Sequence, residues 1–298
     1  MRGRGTLSAQ AAGLGVTIAV TVAACSGSGA NTPAGGSGSE GRPERIVSAP
    51  RDLLSASQPQ PDGMLWALAG DTASKGLFEL NMTTGHVAGS VPVSDAAQSV
   101  TESLSGVVGV ALAAPGAGAL ELINGNTGTP IRTVPLGAPA RDVVVGSDGT
   151  TFYVLNGTSR SASVTVVDSR DGSVQGTVPV PLDTVSVVPD LEGSELYALE
   201  PNGQISEIAV AGGKILSSFP VGGTARSLAM SPDGGTLYVL KDAGADANVA
   251  EVDLATESTR QVLPAAAHSL QVLVSADGEQ VYQLVGTPQY GNIQISAA

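Results

Sequence analysis

Three arginines, Arg51, Arg141 and Arg226, stand at matching points of a segment that this chain repeats along its length. The matching point holds Gln98 and Leu270 in two other copies, and Asp183 or Thr184 in an irregular fourth copy. The chain has 27 Asp and Glu against 14 Lys and Arg, so guanidinium groups gathered at one place would make a local basic site on an acidic protein. A guanidinium fork matches the oxygens of carboxylate or phosphate, and a hydrogen bond to a charged group contributes about 1.5–3 kcal/mol. Arg51, Gln98, Arg141, Arg226 and His268 are therefore the candidate ligand-binding residues, and a small anion is the ligand class they indicate. His268, just before the sixth copy, also has the chemistry of an acid–base group, but no catalytic set is identifiable. A structural reading competes: each arginine pairs with a carboxylate or a loop carbonyl, and Asp52 and Asp142 directly follow two of them.

Other chemistry is largely excluded. Cys25 is the one cysteine, so no disulfide can close within the chain and no cysteine-based metal cluster can form. His86 and His268 lack ligand spacing, and no metal site is expected. Serine, histidine and aspartate are present without a nucleophile elbow. No segment matches a calcium loop or a phosphate-cradling glycine loop, and no cofactor is expected. Asp62, Asp148, Asp233 and Asp277 fall one per repeat, which is the placement of turn residues and not of a paired-carboxylate site. The formal charge of −13 opposes phosphate-backbone binding at long range, so nucleic acid is not a partner.

The elements that would carry these residues recur with a period of about 43 residues. Asp62-Gly63, Asp148-Gly149, Asp233-Gly234 and Asp277-Gly278, with Ser105-Gly106 and Asp190 to Gly193 as degenerate members, read as hairpin turns, because glycine accepts positive φ and aspartate tolerates it. After each turn comes a strand such as Leu65-Trp66-Ala67-Leu68, Phe152-Tyr153-Val154-Leu155 or Leu237-Tyr238-Val239-Leu240. The aromatics mark one structural position and are expected to wedge between neighbouring units, Trp66 included. A third, alternating strand follows, then a fourth ending near Val91, Val134, Val178, Phe219 and Val262. Four strands per unit make the blade of a β-propeller. The expected fold is all-β, a single six-bladed propeller over residues 44–298, with seven blades as the alternative. The sixth copy runs out after its third strand, and Arg45-Ile46-Val47 is positioned to complete it, which would remove an open sheet edge.

Residues 1–24 read as an export signal: Arg2 and Arg4, an apolar stretch, then small residues before Cys25. Val22-Ala23-Ala24-Cys25 resembles the bacterial lipobox, with Val22 in place of the commoner leucine, and the resemblance implies cleavage before Cys25 and lipidation of its thiol. An ordinary secretory signal is the competing reading. Loss of Arg2 and Arg4 would leave 12 Lys and Arg against 27 Asp and Glu, a charge of −15. Residues 25–43 form a Gly/Ser-rich tether, and a flexible stretch of about seventeen residues spans ~20–25 Å.

Ser231-Pro232-Asp233-Gly234 with Tyr238-Val239-Leu240, Tyr153-Val154-Leu155-Asn156, and Val164-Thr165-Val166-Val167-Asp168 resemble the bacterial YVTN-type propeller repeat, over nearly the whole mature domain. That family is also similar to lactonase-type propellers, which usually have seven blades. The resemblance implies an exported propeller, and together with the lipobox and the arginines it leaves three expectations. The first is a monomer held to the cell membrane by a lipid anchor, on its extracytoplasmic face, that binds an envelope protein, a glycan or a small anion. The others are a lactonase-like hydrolase and a purely structural scaffold.

Overall fold

The Asp-Gly pairs form the turns that their chemistry predicts. In the computed structural model, which describes residues 45–71, 74–114, 116–241 and 247–298, Gly63, Gly149, Gly234 and Gly278 have φ between 64° and 78°, a region that glycine enters without the Cβ penalty. Each preceding aspartate accepts the N–H two residues on, from Met64, Thr150, Gly235 and Glu279, at 2.9–3.0 Å. The Ser231 and Ser275 hydroxyls, and then these backbone N–H groups, hold Asp233 and Asp277 below the usual carboxylate range. The two degenerate turns keep the left-handed glycine, Gly106 at φ 76° and Gly193 at φ 69°, with other acceptors: Ser103 Oγ takes the Val107 N–H and Asp190 Oδ1 the Glu195 N–H. The leader, Cys25 and the Gly/Ser tether lie outside the described residues.

These turns connect strands into six sheets of four. β1 is Arg45–Ala49. Blade 1 is β2 (Leu53–Ala56), β3 (Met64–Gly70), β4 (Lys75–Asn81) and β5 (Val87–Val93). Blade 2 is β6 (Ala97–Glu102), β7 (Val107–Ala114), β8 (Ala117–Asn124) and β9 (Thr129–Pro135). Blade 3 is β10 (Ala140–Val145), β11 (Thr151–Gly157), β12 (Ala162–Asp168) and β13 (Val174–Val180). Blade 4 is β14 (Ser186–Pro189), β15 (Glu195–Leu199), β16 (Gln204–Ala209) and β17 (Ile215–Pro220). Blade 5 is β18 (Ala225–Met230), β19 (Thr236–Lys241), β20 (Asn248–Asp253) and β21 (Ser258–Pro264). Blade 6 is β22 (Ser269–Val274), β23 (Gln280–Gly286) and β24 (Gly291–Ala297), closed by β1. β1 runs antiparallel to β24 from Arg45↔Ile295 to Ala49↔Gly291. The fold is a six-bladed β-propeller with its two ends sharing one blade; the seven-bladed alternative does not apply.

What holds the blades together is six apolar clusters, each shared by two neighbouring blades. Leu53, Leu65 and Leu80 of blade 1 meet Leu273, Tyr282, Leu284 and Ile293 of blade 6. Ala111, Leu120 and Leu122 of blade 2 meet Val143, Phe152 and Val154 of blade 3. Sheets that are apolar on both faces must be covered on both faces, and a closed ring does this for every blade at once. The recurrent aromatics serve these interfaces. Trp66 is 4% exposed and packs between blades 1 and 2. The Tyr153 hydroxyl reaches the turn of blade 4, 2.7 Å from where a Cβ on Gly193 would stand. Blade 2 lacks an aromatic, with Gly109 at that position, and the Phe152 ring of blade 3 fills the space, 3.0 Å from an added Cβ.

Candidate functional site

The six innermost strands line the central channel, and a repeated irregularity shapes its mouth. Where the inner strand pairs with the second strand, the register jumps by one residue between Leu53 and Ser55, Ala97 and Ser99, Ala140 and Asp142, Ala225 and Ser227, and Ser269 and Gln271. A bulge leaves one residue out of the ladder and re-aims its side chain. The bulged residues are Leu54, Gln98, Arg141, Arg226 and Leu270; Val185, just ahead of β14, holds the place in blade 4, its N–H bonded to the Leu199 carbonyl at 2.8 Å. All six line a cavity of about 180 Å³ at the mouth. Gln98, Arg141, Val185 and Arg226 make one arc on blades 2 to 5, and Leu270 and Leu54 make an apolar arc on blades 6 and 1.

This register corrects the sequence alignment at two points. Leu54, not Arg51, is the blade 1 counterpart of Arg141, so two of the three expected arginines share the cavity and Arg51 is outside its lining. Asp52 adopts φ 54°, its N–H bonds the Thr287 carbonyl of blade 6 at 3.2 Å and its carbonyl accepts from Gly70 at 3.0 Å. The Arg-Asp pair that resembles Arg141-Asp142 therefore belongs to the connection ahead of the strand. His268 is the counterpart of Asp52: it directly precedes β22, has φ 67°, and its carbonyl accepts from Gly286 at 3.4 Å. His268 is exposed and outside the cavity lining. In blade 4, Val185 takes the place assigned to Asp183 or Thr184. Thr184 is buried, its hydroxyl donating to the Pro181 carbonyl at 2.7 Å, and Asp183 lines a side groove with Arg141, Glu200 and Asn202. Arg141 donates to the Thr158 carbonyl at 3.4 Å, and Arg226 is engaged by its surroundings as well.

One step below the mouth lies a ring that the sequence reading missed: Ser55, Ser99, Asp142, Ser186, Ser227 and Gln271. Ser55 accepts the Val100 N–H, Ser99 the Val143 N–H, Ser186 the Leu228 N–H and Ser227 the Val272 N–H, at 3.2–3.3 Å. Gln271 accepts the Ala56 N–H at 2.9 Å. These five side chains thus cap the next blade's inner strand, whose N–H has no further strand to pair with; a buried N–H left unpaired costs about 1–3 kcal/mol. The detectable signal was a small polar residue recurring two positions after a small one, but that pattern is common in any strand. Deeper still, Val144, Val188, Ala229 and Leu273 line the lumen together with Thr101.

The opposite mouth is a separate cavity of about 280 Å³, whose one charged lining residue among those described is Glu102. Burial, with the charges of Asp62 and Glu79 adding, pushes the Glu102 carboxyl up to about 7 against a hydrogen bond from the Trp66 side chain. Among the described residues no group of three or more His, Cys, Asp or Glu could hold a metal ion.

No family model matches this sequence, and no curated protein matches it. Among solved structures, the chain is similar to Kuenenia stuttgartiensis hydrazine synthase, with a TM-score of 0.66 and 17% identity over 83% of this chain and 83% of that one. It is also similar to the β-propeller domain of Myceliophteria thermophila Cps50 (Swd1), with a TM-score of 0.59 and 12% identity over 87% of this chain and 99% of that one. At these identities the likeness is one of fold, and function has to be argued from the site.

Proposed function

We propose that this propeller is an extracytoplasmic binding module, held to the membrane through a lipid on Cys25 and a Gly/Ser tether, whose channel mouth takes a small anionic ligand. The observation that carries the ligand reading is the pair of bulges that turn Arg141 and Arg226 into one cavity on a protein of charge −13. A guanidinium has five N–H donors, so a single loop carbonyl does not exhaust it. The location rests on the leader and on the lipobox resemblance at Val22 to Cys25. The protein is proposed to act as a monomer of the YVTN-like repeat type. A hydrolase is less well supported, because His268 lies outside the cavity lining.

Titration calorimetry of the full-length chain in detergent, with inorganic phosphate and with 4-methylpentanoate as probes, tests the ligand reading. The Arg141→Ala/Arg226→Ala variant is expected to lose binding of the anion that the parent protein takes, with its melting temperature within about 2 °C of the parent. A parent that binds neither probe, together with a large fall in the variant's melting temperature, would favour a scaffold in which the arginines only join blades. Cys25→Ser is expected to move the protein from the membrane fraction to the soluble one; a variant that stays with the membrane argues against the lipid anchor.

A further inference from the structure

The polar ring below the mouth departs from its own pattern at one residue. Four serines and Gln271 each cap a neighbouring strand, whereas Asp142 accepts the Ser99 hydroxyl at 2.7 Å and the adjoining Val143 N–H at 2.9 Å, both on Oδ1. Ser99 is in turn within 3.2 Å of the Ser55 hydroxyl, so the three side chains form a short chain that ends on this carboxyl. Oδ2 accepts no hydrogen bond from the described residues, and Asp142 is half-buried and lines the cavity. Asp142 lies one layer beneath Arg141 and Arg226, and these three are the charged residues among the described lining of the cavity.

Burial pushes the Asp142 carboxyl above the usual carboxylate range, with the Ser99 hydroxyl and the Val143 N–H acting against it. A carboxylate in such a place is stabilised by a cation within about 4–6 Å, which a ligand can bring. The mouth therefore has three attachment points of different chemistry: guanidinium groups at the rim, a carboxyl below, and the apolar arc of Leu54 and Leu270. A cavity of about 180 Å³ has room for one small molecule.

We propose that the mouth binds a free α-amino acid with an apolar side chain, its ammonium on Asp142 Oδ2, its carboxylate on Arg141 and Arg226, and its side chain against Leu54 and Leu270. This rests on the anion-binding reading and adds the class of the ligand. Titration of the full-length protein compares L-leucine with 4-methylpentanoate, which lacks the ammonium, and with 3-methylbutylamine, which lacks the carboxylate. Leucine is expected to bind at least tenfold tighter than either. Asp142→Asn is expected to bring leucine down to the level of 4-methylpentanoate without weakening the latter. Asp142→Ser, which installs the residue found at this position in four other blades, should do the same and guards against a folding defect, with melting temperature followed in both. Equal binding of leucine and 4-methylpentanoate, or leucine binding that survives both variants, overturns the amino-acid assignment and leaves the anion reading standing; no binding by any of the three compounds overturns the amino-acid assignment, and the anion reading falls with it only if inorganic phosphate does not bind either.

Discussion

The two mouths of the channel are made by the same six inner strands, and they differ in how those strands begin and end. At the entry end, five of the six strands carry an extra residue, and each bulge gives up regular pairing to aim a side chain at the cavity. At the exit end the strands run into tight turns that lock onto one another. The Leu104 N–H of blade 2 bonds the Gly149 carbonyl of blade 3 at 2.9 Å, the Ser147 hydroxyl bonds the Leu191 carbonyl, and Leu191 lies against the Gly234 turn. One end displays side chains to the cavity and the other ties blades together, and Glu102 at the second is a half-buried carboxyl with acidic neighbours.

That contrast can be broken most forcefully from the core both ends share. Phe152→Ala removes the ring that fills the space beside Gly109 between blades 2 and 3, and is expected to cost about 3–5 kcal/mol in urea denaturation. A loss below 1 kcal/mol would mean that the blades do not depend on this packing. Next comes the locking end. Gly149→Val places a branched side chain at φ 64° with its Cβ against Leu104 atoms, for an expected loss of about 2–3 kcal/mol and no effect on the binding proposed for the other mouth. Gly116→Ala is the control, since φ is 74° but nothing lies within 4 Å; about 1 kcal/mol is expected there, and equal losses at the two positions would dismiss the interlock.

At the entry end, Ser227→Ala leaves the Val272 N–H without its cap and is expected to cost about 1–2 kcal/mol; no change would remove the capping ring from the account of stability. The smallest effect has the opposite sign. Because the folded Glu102 holds its proton up to about 7 instead of the ordinary 4.5, its contribution is complete below pH 4.5 and is lost as the pH rises through 7. Glu102→Gln should therefore stabilise the protein at pH 8, by about 1 kcal/mol for a partly solvated carboxyl, and scarcely at pH 4. Parallel stability curves across that range would show that the carboxyl is not shifted.

Much of the architecture was legible because its signals are local. A hairpin needs positive φ at one residue and an acceptor two residues away, so Asp-Gly marked four turns, and Gly106 and Gly193 kept the remaining two recognisable by position. The aromatic of the second strand and the lone strand Arg45–Ala49 told the same story: an apolar segment with no partner of its own in sequence was left to complete the sixth blade. The site was less legible. Arg51, Arg141 and Arg226 were placed together by alignment on their turns, which held for Arg141 and Arg226 but not for Arg51, because Asp52 turns left-handed before the strand begins and Leu54 takes the place at the mouth.

By itself, then, the chain's sequence determined the repeat and pointed to a sixth blade shared by two distant segments, since these follow from the conformations open to individual residues and from the alternation of apolar side chains. Tertiary structure decided which side chains reach the lumen. A one-residue bulge reverses which face a residue occupies, and its placement depends on how each inner strand meets its neighbour. It is that register, absent from any single segment, that put Leu54 at the mouth in place of Arg51 and set Asp142 beneath two arginines.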